Sequence, residues 1–498
     1  MMTHPLSRRI DDVLGLQPDA PALEYDRQWL SWGELGKMAD RIGSLIGDGS
    51  HQPQIGILLR NRPAQVATLL GALRRGATVV VIHPARGDER TKADVEQLAL
   101  PLIIGEPDDL ATLGEPPATT VVSISDLAAE PKVVAVSQAR AHHEVRPGVA
   151  VRMLTSGTTG PPKRVDLTYD MLAHSVMGPE GDRPAAPREL RRGVAIVNSP
   201  LVHIGGVFRV LQCVAEARPF VLLERFELNR WAEAVREHRP RAVSLVPTAL
   251  RMVLHSSLGR DDLASIRAVT SGTAPLSAED SDAFTEKYGI PVLTSYAATE
   301  FGGGVAGWTL ADHQKYWRIK RGSVGRANPG ARLRVIGDDG GPLEPGQVGL
   351  LEVKPGQLGP HAQWMRTTDM ARIDADGFLW IIGRADQAII RGGFKVMPDD
   401  VRNALESHPD VAGAAVVGRG DKRLGETPVA MVELREPGSA NAAALIDYLR
   451  TRLARYEIPT DITIVDELPR TPSGKPDLSE ISRYFSHTIS AAQGDHAE

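Results

Sequence analysis

The stretch QIGILLRNRPAQVATLLGALRRGATVVVI, residues 54–82, decides the fold class of this chain. Residues 54–59 form an apolar run of strand length. Residues 63–76 follow with a proline at their start and a glycine at their end, as helices commonly have. Residues 78–82 are a second, β-branched run. A strand, a helix and a strand in this order predict two parallel strands that are covered by the helix between them.

The same alternation continues along the first two thirds of the chain, for example from the strand-like residues 220–226 to the amphipathic residues 229–239. From Arg332, short apolar runs are separated by Gly, Asp and Pro turns, which predicts an antiparallel β subdomain. After Arg384, the order helix, strand, strand, helix, strand predicts a small α+β domain. We therefore expect an α/β protein. Its large N-terminal domain, residues 1–384, would hold helix-covered, mainly parallel sheets and the antiparallel subdomain, and its small C-terminal domain would comprise residues 385–498.

Composition excludes several classes of protein. The 498 residues are 42% hydrophobic and 24% charged, which is ordinary for a globular chain too long for one core. The net charge of −5 gives no electrostatic reason to expect a nucleic acid or an anionic membrane as partner. The single cysteine, Cys213, lies in a helical apolar pattern, so we expect it in the core and no intrachain disulfide. With neither a signal-peptide pattern nor an apolar run near the ~20 residues that span a bilayer, we expect a cytoplasmic protein without membrane spans.

The loop TSGTTGPPK, residues 155–163, contains four hydroxyl side chains, two glycines and a terminal lysine. A Gly/Ser/Thr loop at the end of a strand can turn successive backbone N–H groups towards an anion, and Lys163 adds a compact positive charge. The glycine spacing is not that of a Walker A loop. A polar surface linker is the alternative, but the flanking strand-like runs and the lysine favour an anion site.

A second candidate is SYAATEFGGG, residues 295–304. Tyr296 offers a flat face for a base, Thr299 a hydroxyl and Glu300 a hard oxygen ligand for Mg²⁺, although an ordinary helix start is an equal alternative. The glycines of residues 302–307 also fit the dinucleotide pattern G-x-G-x-x-G. We reject that interpretation because no acidic residue follows at the required distance. Small residues here instead let a ligand chain approach the backbone.

Two further stretches carry charged candidates. Asp369 and Arg384 flank a predicted pair of strands, where a carboxylate could accept the hydroxyls of a ribose. Asp386 lies where the large domain gives way to the small one, so it is a candidate hinge residue. Lys475 lies in the loop PRTPSGK of the small domain. Taken alone, each of these also fits a turn aspartate, a surface arginine or a solvated lysine.

In their order and spacing, these motifs resemble those of the adenylate-forming superfamily of acyl-CoA ligases, adenylation domains and luciferases. The resemblance covers nearly the whole chain, from residue 30 to about residue 481. It implies a mobile C-terminal domain and two half-reactions. In the first, a carboxylate attacks the α-phosphate of ATP with Mg²⁺ present, giving an acyl-adenylate and pyrophosphate. In the second, after the small domain rotates, a thiol such as that of coenzyme A accepts the acyl group.

The resemblance also implies a role for each motif residue. The β- and γ-phosphates would be held by Thr155, Ser156, Gly157, Thr158, Thr159, Gly160 and Lys163. The adenine side would be formed by Gly272, Thr273, Ala274, Tyr296 and Ala297. The α-phosphate, Mg²⁺ and the ribose would be bound by Thr299, by Glu300, and by Asp369 with Arg384. The catalytic lysine, the hinge and the pantetheine tunnel would be Lys475, Asp386, and Gly392 with Gly393.

The chain departs from the family pattern at five positions. Ala297 and Thr368 replace glycines, so we expect a small shift of these loops or weaker binding of ATP. Arg164 follows the lysine of the phosphate loop, and Pro476 and Asp477 follow the catalytic lysine, where other residues are usual. Every charged catalytic position is present, which favours an active enzyme.

The pocket segment, residues 199–215, contains no acid that could pair with the ammonium group of an amino acid substrate. We therefore expect a hydrophobic carboxylic acid (aryl, alicyclic or fatty) as substrate. Its pocket would be lined by His203, Val207, Gly302, Gly303 and Gly304. Free coenzyme A is the expected acceptor. The alternatives are a stand-alone enzyme that loads a carrier protein and a nucleotide-binding pseudoenzyme; a homodimer is left open.

Overall fold

The structure, a computed structural model, describes residues 3–46, 52–84, 88–114, 119–136, 146–155, 163–391, 394–421, 423–471 and 474–494. Its helices are α1 Pro5–Leu14, α2 Trp32–Ile46, α3 Pro63–Arg74, α4 Asp88–Leu98, α5 Pro107–Ala111, α6 Tyr169–Met177, α7 Ile204–Ala215, α8 Leu228–His238, α9 Pro247–Leu254, α10 Ala278–Tyr288, α11 Leu310–Tyr316, α12 Pro398–Glu406, α13 Ala442–Arg450 and α14 Leu478–Gly494. Its strands are β1 Pro21–Tyr25, β2 Gln28–Ser31, β3 Gln54–Leu58, β4 Thr78–Ile82, β5 Leu102–Gly105, β6 Thr120–Ser123, β7 Lys132–Ala135, β8 Val149–Thr155, β9 Lys163–Thr168, β10 Ala195–Val197, β11 Phe220–Leu222, β12 Ala242–Ser244, β13 Ala268–Ser271, β14 Val292–Ala298, β15 Gly303–Gly307, β16 Arg326–Ala327, β17 Arg332–Ile336, β18 Val348–Lys354, β19 Met365–Ile373, β20 Leu379–Arg384, β21 Ile389–Arg391, β22 Phe394–Val396, β23 Val411–Asp421, β24 Gly425–Leu434 and β25 Ile462–Val465.

The residues that decided the fold class form β3, α3 and β4, as predicted. β3 and β4 are parallel neighbours, with Ile55 opposite Val79. They lie inside a seven-stranded sheet of order β7-β6-β5-β3-β4-β8-β9, in which only the two outer strands run antiparallel to their neighbours. Every position of β3 and β4 is buried, which explains their continuous apolar pattern.

Two more sheets complete the mainly parallel part of the chain. One has the order β10-β11-β1-β2, and the other β12-β13-β14-β15-β16. In the second of these, β12, β13 and β14 are parallel, whereas β15 and β16 turn back antiparallel. The carboxyl ends of parallel strands are where ligands bind in open α/β sheets. The stretch SGTAPLS, residues 271–277, begins at this edge of the sheet, as does YAATE, residues 296–300.

The change of sequence texture at Arg332 marks a four-stranded antiparallel sheet, β17-β18-β19-β20, which confirms the predicted antiparallel subdomain. β20 ends at Arg384, and a 3-10 helix, Ala385–Gln387, follows at the predicted domain boundary. The last part of the chain has its own five-stranded sheet, built from β21 to β25, and its own hydrophobic core. Its order of α12, β23, β24, α13 and β25 is the predicted order.

Two predictions about the chain as a whole can be compared with the structure. Cys213 lies in α7 and is 4% exposed, and burial raises the pKa of its thiol to about 12. This confirms its interpretation as a core residue. Within the part of the chain that the structure describes, a helix with the length and apolarity needed to cross a bilayer is not found.

Candidate active site

The predicted phosphate loop is the connection of a β-hairpin. Thr155 ends β8, Lys163 begins β9, and the two residues lie opposite each other across the hairpin. Ser156, Gly157, Thr158, Thr159 and Gly160, which the sequence predicts to bind phosphate, lie outside the described residues. β9 contacts the 3-10 helix Thr299–Phe301, so one strand of the hairpin packs beside two of the predicted catalytic residues.

The stretch that follows β14 carries the predicted magnesium ligand. Glu300 is exposed in the 3-10 helix, and Thr299 beside it is half-buried. Within the described residues, Glu300 takes part in no hydrogen bond or ion pair. An exposed carboxylate without a partner among the described residues, at the carboxyl end of a strand and next to the hairpin, fits a hard divalent cation.

Tyr296 and Asp369 bring two separate sheets together. The Tyr296 hydroxyl on β14 donates a hydrogen bond to Asp369 Oδ2 on β19. Burial, followed by the negative charge of Asp369, raises the pKa of Tyr296. Burial also raises the pKa of Asp369, against the opposite effects of the Tyr296 hydrogen bond and of Arg384. The carboxylate is thus held by a neutral phenol and can still accept from a ligand hydroxyl.

Arg384 contacts the predicted hinge. It lies opposite Asp369 across β19 and β20, as the sequence predicts for a pair of strands. Its guanidinium, however, donates two hydrogen bonds to Asp386, with Nε at 2.9 Å and Nη2 at 2.6 Å from the carboxylate oxygens. These hydrogen bonds raise the pKa of Arg384. In this conformation Arg384, which is predicted to bind the ribose, is bonded to Asp386, two residues after the predicted end of the large domain.

Lys475 reaches this cleft from the small domain. Its carbonyl accepts hydrogen bonds from the backbone N–H of Thr471 at 2.7 Å and from the Thr471 hydroxyl at 3.2 Å, which close the loop. Although the residue is exposed, protein atoms around its ammonium group reduce its hydration. This desolvation, followed by repulsion from Arg384, lowers the pKa of Lys475. Burial, followed by the positive charge of Lys475, lowers the pKa of His203. The lysine therefore lies within electrostatic reach of both residues.

The backbone conformation and the packing against α6 explain why glycines follow Phe301. Gly302 has φ = +71° and Gly303 has φ = +151°, a backbone region that side chains rarely adopt. A Cβ on Gly302 would lie 2.6 Å from Met171 Cε, and one on Gly303 would lie 3.1 Å from Ser175 Oγ. Helix α6 therefore packs directly on this backbone, and Gly302 is buried beneath it.

Gly304 is held by two side-chain amides that the sequence analysis did not single out. Its carbonyl accepts hydrogen bonds from Asn328 Nδ2 at 3.0 Å and from Gln357 Nε2 at 2.8 Å. Gln357 Oε1 is fully buried and has no hydrogen-bond partner among the described residues. Amides that bond to a distant backbone carry no local sequence signal, so the pattern could not reveal them.

The predicted adenine-side turn follows β13. A Cβ on Gly272 would lie 2.8 Å from Ser295 Oγ, so a side chain there would require the Ser295 hydroxyl to move. Thr273 is exposed and has φ = +72°, a strained conformation for a β-branched residue. Ala274, next to it, is half-buried.

Ala297 and Thr368, which replace two glycines of the family pattern, do not need the left-handed backbone conformation that Thr273 adopts. Ala297 and Thr368 are both exposed, and neither is among the non-glycine residues with positive φ. Ala297 pairs with Gly304 across β14 and β15, next to an irregularity of that ladder between Tyr296 and Ala297. Thr368 lies within a second irregularity, between β18 and β19. Both added side chains thus stand where the ladders depart from regular pairing, and their effect on the binding of ATP stays a prediction.

The predicted acyl pocket is only partly as expected. His203 precedes α7, and its Nε2 is fully buried without a hydrogen-bond partner among the described residues. Val207 is 0% exposed and belongs to the hydrophobic core, so its side chain offers no surface to a ligand in this conformation. The half-exposed side of α7 carries Ile204, Phe208 and Arg209 instead. The helix turns 100° per residue, and the apolar pattern alone did not indicate which side faces the core.

An ion-pair cluster links the two domains away from the motifs. Arg251 on α9 donates to Asp280 at 2.7 Å and to Glu406, the last residue of α12, at 2.8 Å. Its side chain is 19% exposed and that of Glu406 is 11% exposed. Burial acts against the charged form, but the two carboxylates outweigh it and raise the pKa of Arg251. Gly392 and Gly393, the predicted tunnel glycines, lie outside the described residues.

Comparisons with known proteins identify the family of the chain. Residues 11–359 match the family described as AMP-binding enzyme, and residues 400–475 match the AMP-binding enzyme C-terminal domain. The chain is 29% identical to the indoleacetate–CoA ligase of Aromatoleum aromaticum over 94% of this chain and 96% of that protein. It is 30% identical to the sulfoacetate–CoA ligase of Cupriavidus necator over 90% and 91% of the two chains.

A solved structure shows the same fold. The anthranilate CoA ligase AuaEII, in complex with anthranoyl-AMP, superposes with a TM-score of 0.81 at 20% identity, covering 98% of this chain and 99% of that one. The superposition extends over both the large N-terminal and the small C-terminal parts of this chain. From the matches to both family domains and from these relatives, we conclude that the chain belongs to the AMP-binding enzyme family and is an acid–thiol ligase of the adenylate-forming superfamily.

Proposed function

We propose that this protein is an ATP-dependent acid–CoA ligase that activates a hydrophobic carboxylic acid as its acyl-adenylate and transfers the acyl group to coenzyme A. The observation that carries the proposal is the position of Lys475. A lysine from the small domain lies within electrostatic reach of His203, at the predicted acyl pocket, and of Arg384, at the predicted ribose site. A cation between an acid and a nucleotide is what adenylation requires.

In the first half-reaction, a carboxylate oxygen of the acid attacks the α-phosphorus of ATP, and the bond to the pyrophosphate oxygen breaks. Charge accumulates on the α-phosphate oxygens in this transition state, and such reactions are catalysed mainly by positioning and by charge neutralisation. Lys475 would neutralise this charge and orient the acid, while the Thr299 hydroxyl would donate to the α-phosphate. Thr155 and Lys163 would hold the departing pyrophosphate from the base of the hairpin.

The nucleoside would lie between the turn after β13 and the end of β14. Tyr296 would stack against adenine, with Gly272, Thr273, Ala274 and Ala297 around it. Asp369 would accept from the ribose hydroxyls, because its carboxylate is engaged by a neutral phenol. Arg384 could also bind the ribose only if its guanidinium gave up one or both of its hydrogen bonds to Asp386.

Glu300 is the residue that would hold Mg²⁺, since its exposed carboxylate has no protein partner within the described residues. A bound Mg²⁺ ion would neutralise charge on the phosphates of ATP. Glu300 would act as its ligand, and Thr299 beside it would remain available to the α-phosphate.

In the second half-reaction, the thiol of coenzyme A loses its proton to solvent and its sulfur attacks the acyl carbon, and AMP departs with the electron pair of the broken C–O bond. For this step the small domain would turn about Asp386 and remove Lys475 from the cleft. Gly392 and Gly393, just after the hinge, would line the path of the pantetheine chain. The two relatives that are named as CoA ligases support coenzyme A as the acceptor.

Pyrophosphate exchange into ATP with a panel of carboxylic acids tests this proposal. Exchange with hydrophobic acids, followed by thioester formation with free coenzyme A, is the expected result. If ATP binds and no acid of the panel supports exchange, the protein is a nucleotide-binding pseudoenzyme and the proposal is wrong. If exchange occurs but only a carrier protein accepts the acyl group, the acceptor is wrong and the adenylation step stands.

A further inference from the structure

Arg209 lies on the half-exposed side of the predicted pocket helix. The fully buried positions of α7 are spaced as one helical face, Val207, Val210, Leu211 and Val214. Ile204, Phe208 and Arg209 occupy the other side and are half-buried. This side faces another part of the protein, because Arg209 Nη2 donates a hydrogen bond to Thr270 Oγ1 on β13 at 3.1 Å.

Thr270 places the guanidinium on the side of the sheet that carries the predicted adenine-side turn. Residues that are paired in a parallel ladder point to the same side of the sheet, and Thr270 pairs with Leu293. Two residues further along each strand, and therefore on the same side, are Gly272 and Ser295, whose close approach forms the predicted adenine-side turn. Arg209 thus reaches the side of the sheet on which Gly272 and Ser295 lie.

The protein supplies this guanidinium with neutral partners. Besides Thr270, the hydrogen-bond acceptor is Gln212 Oε1, at 3.0 Å from Nη1. Within the described residues, none of the ion pairs includes Arg209. Glu216 lies one helical turn further along, but Gln212 Nε2 bonds to it, and Arg191 and Arg218 already pair with its carboxylate.

A guanidinium stays charged at any pH at which proteins are folded, so removing it from water without a carboxylate is unfavourable. The loss of hydration is the main reason why the pKa of Arg209 is lowered. No guanidinium nitrogen of Arg209 is both fully buried and without a partner among the described residues. Nε has no hydrogen-bond partner among the described residues and is not fully buried, so this donor borders accessible space, where an oxyanion could accept a hydrogen bond from it.

We propose that the acid activated by this protein carries a second oxyanion, a carboxylate or a sulfonate, at the end of its apolar body remote from the reacting carboxylate, and that Arg209 binds it. This inference rests on the proposed function and names the substrate class of the same pocket. Ile204 and Phe208 would contact the apolar body of the acid, and Arg209 would pair with the distal group. Val207, in the core behind them, takes no part.

The test compares acids that differ only in the distal group, using pyrophosphate exchange. 4-Sulfophenylacetate and 4-carboxyphenylacetate are compared with 4-methylphenylacetate, and suberate is compared with octanoate. The sulfonate is the sharpest probe, because it leaves one carboxylate to react. We expect the wild-type protein to favour the distal oxyanion by roughly 100-fold in kcat/KM, within the range for an enclosed charge pair.

Variants separate a role in recognition from a role in folding. Arg209→Met should remove or reverse the preference while exchange with 4-methylphenylacetate persists, and Arg209→Lys should retain part of it. Arg218→Gln removes one positive charge just beyond the same helix and should leave the preference unchanged. If Arg209→Met does not fold, the wild-type comparison alone decides.

Two outcomes are kept apart by this design. If the wild-type protein exchanges with methyl-substituted or unsubstituted acids as well as with their distal oxyanion counterparts, this inference is overturned and the proposed ligase function stands. If no acid of either kind supports exchange while ATP binds, the proposed function itself fails.

Discussion

The two sides of the predicted cleft are held in different ways. On the side of the large domain, Tyr296 and Asp369 are fixed by neighbouring sheets, and the glycines at 302 and 303 are packed against α6. On the side of the small domain, Lys475 depends on a loop, and the domains are joined by ion pairs such as that of Arg251 with Glu406. A largely buried ion pair can separate when a domain rotation lets water reach both partners, whereas buried backbone packing is lost only when the fold itself opens. The contacts on the large-domain side therefore suit a fixed part of the site, and those on the small-domain side suit a part that moves during the reaction.

The largest expected effect follows from removing the mobile cation. Lys475→Ala should lower pyrophosphate exchange by about 100- to 1000-fold, because one electrostatic contact to the transition state is lost. Thioester formation from supplied acyl-adenylate should be nearly unchanged, since the proposed function withdraws the lysine before that step. Both rates are measured on the same preparation. An equal loss of both would show that the two sides of the cleft are not used separately.

The pH dependence of pyrophosphate exchange also tests the role of Lys475. The charged lysine is the active form, and it is lost as the pH rises through its pKa. Because that pKa is lowered in the cleft, exchange should decline at a lower pH than an ordinary lysine would give. Lys475→Arg keeps its charge and should move the decline to higher pH, even if its maximal rate is smaller. An alkaline limb that is identical in both proteins would contradict the assignment.

The hinge should have the next largest effect. Asp386→Pro restricts the backbone of the 3-10 helix Ala385–Gln387 and should spare adenylation, while thioester formation falls by about 10-fold or more. Asp386→Asn is the matched control, since it changes the contact to Arg384 and leaves the backbone free. Stopped-flow measurement of each half-reaction checks this. Unimpaired overall turnover in the proline variant would place the hinge elsewhere.

The interdomain ion pair should have a smaller effect. Glu406→Gln leaves Arg251 paired with Asp280 and weakens the contact between the domains, while its amide oxygen can still accept the hydrogen bond from Ala414 N–H. We expect a decrease of about 3- to 10-fold in exchange without loss of thioester formation. Asp447→Asn, an exposed carboxylate on α13 of the same domain, serves as the control. A fall in the unfolding midpoint of the whole protein, with no change in the balance of the two half-reactions, would mean that this pair stabilises the fold alone.

The smallest expected effect concerns the fixed side. Thr273 adopts φ = +72°, where glycine has no steric cost. Thr273→Gly should therefore be more stable than Thr273→Ala by about 1 kcal/mol in urea unfolding. Exchange kinetics of the same two variants report whether the strained turn also positions the nucleotide. Equal stability of the two variants would show that the turn relaxes without its β-branched residue.

Much of this architecture could be predicted from the sequence. Strand–helix–strand alternation gave the parallel sheets, because a buried strand such as β3 is apolar at every position. Asp369 and Arg384 were expected to flank a pair of strands, and they are direct partners in the antiparallel ladder. Periodicity and turn chemistry are local properties, and these elements are determined locally.

The remainder depends on contacts between distant residues. Arg209 in an amphipathic helix has the same pattern whether it faces solvent or a cleft, and only its bond to Thr270 distinguishes the two cases. Val207 has the character of a pocket residue but lies on the core side of α7. Arg251 and Glu406 are 155 residues apart, and neither stands in a motif. Burial and partners of this kind are set by tertiary packing.

The buried thiol of Cys213 has a practical consequence for following the domain movement. At neutral pH almost none of this thiol is ionised, and its side chain is inaccessible, so it will react slowly with maleimides. Thiol-specific fluorophores should therefore label the unsubstituted protein only slowly. Cysteines introduced at exposed positions on either domain, such as Arg225 and Asp447, could carry a donor and an acceptor dye. Energy transfer between them would report the movement between the two half-reactions in real time.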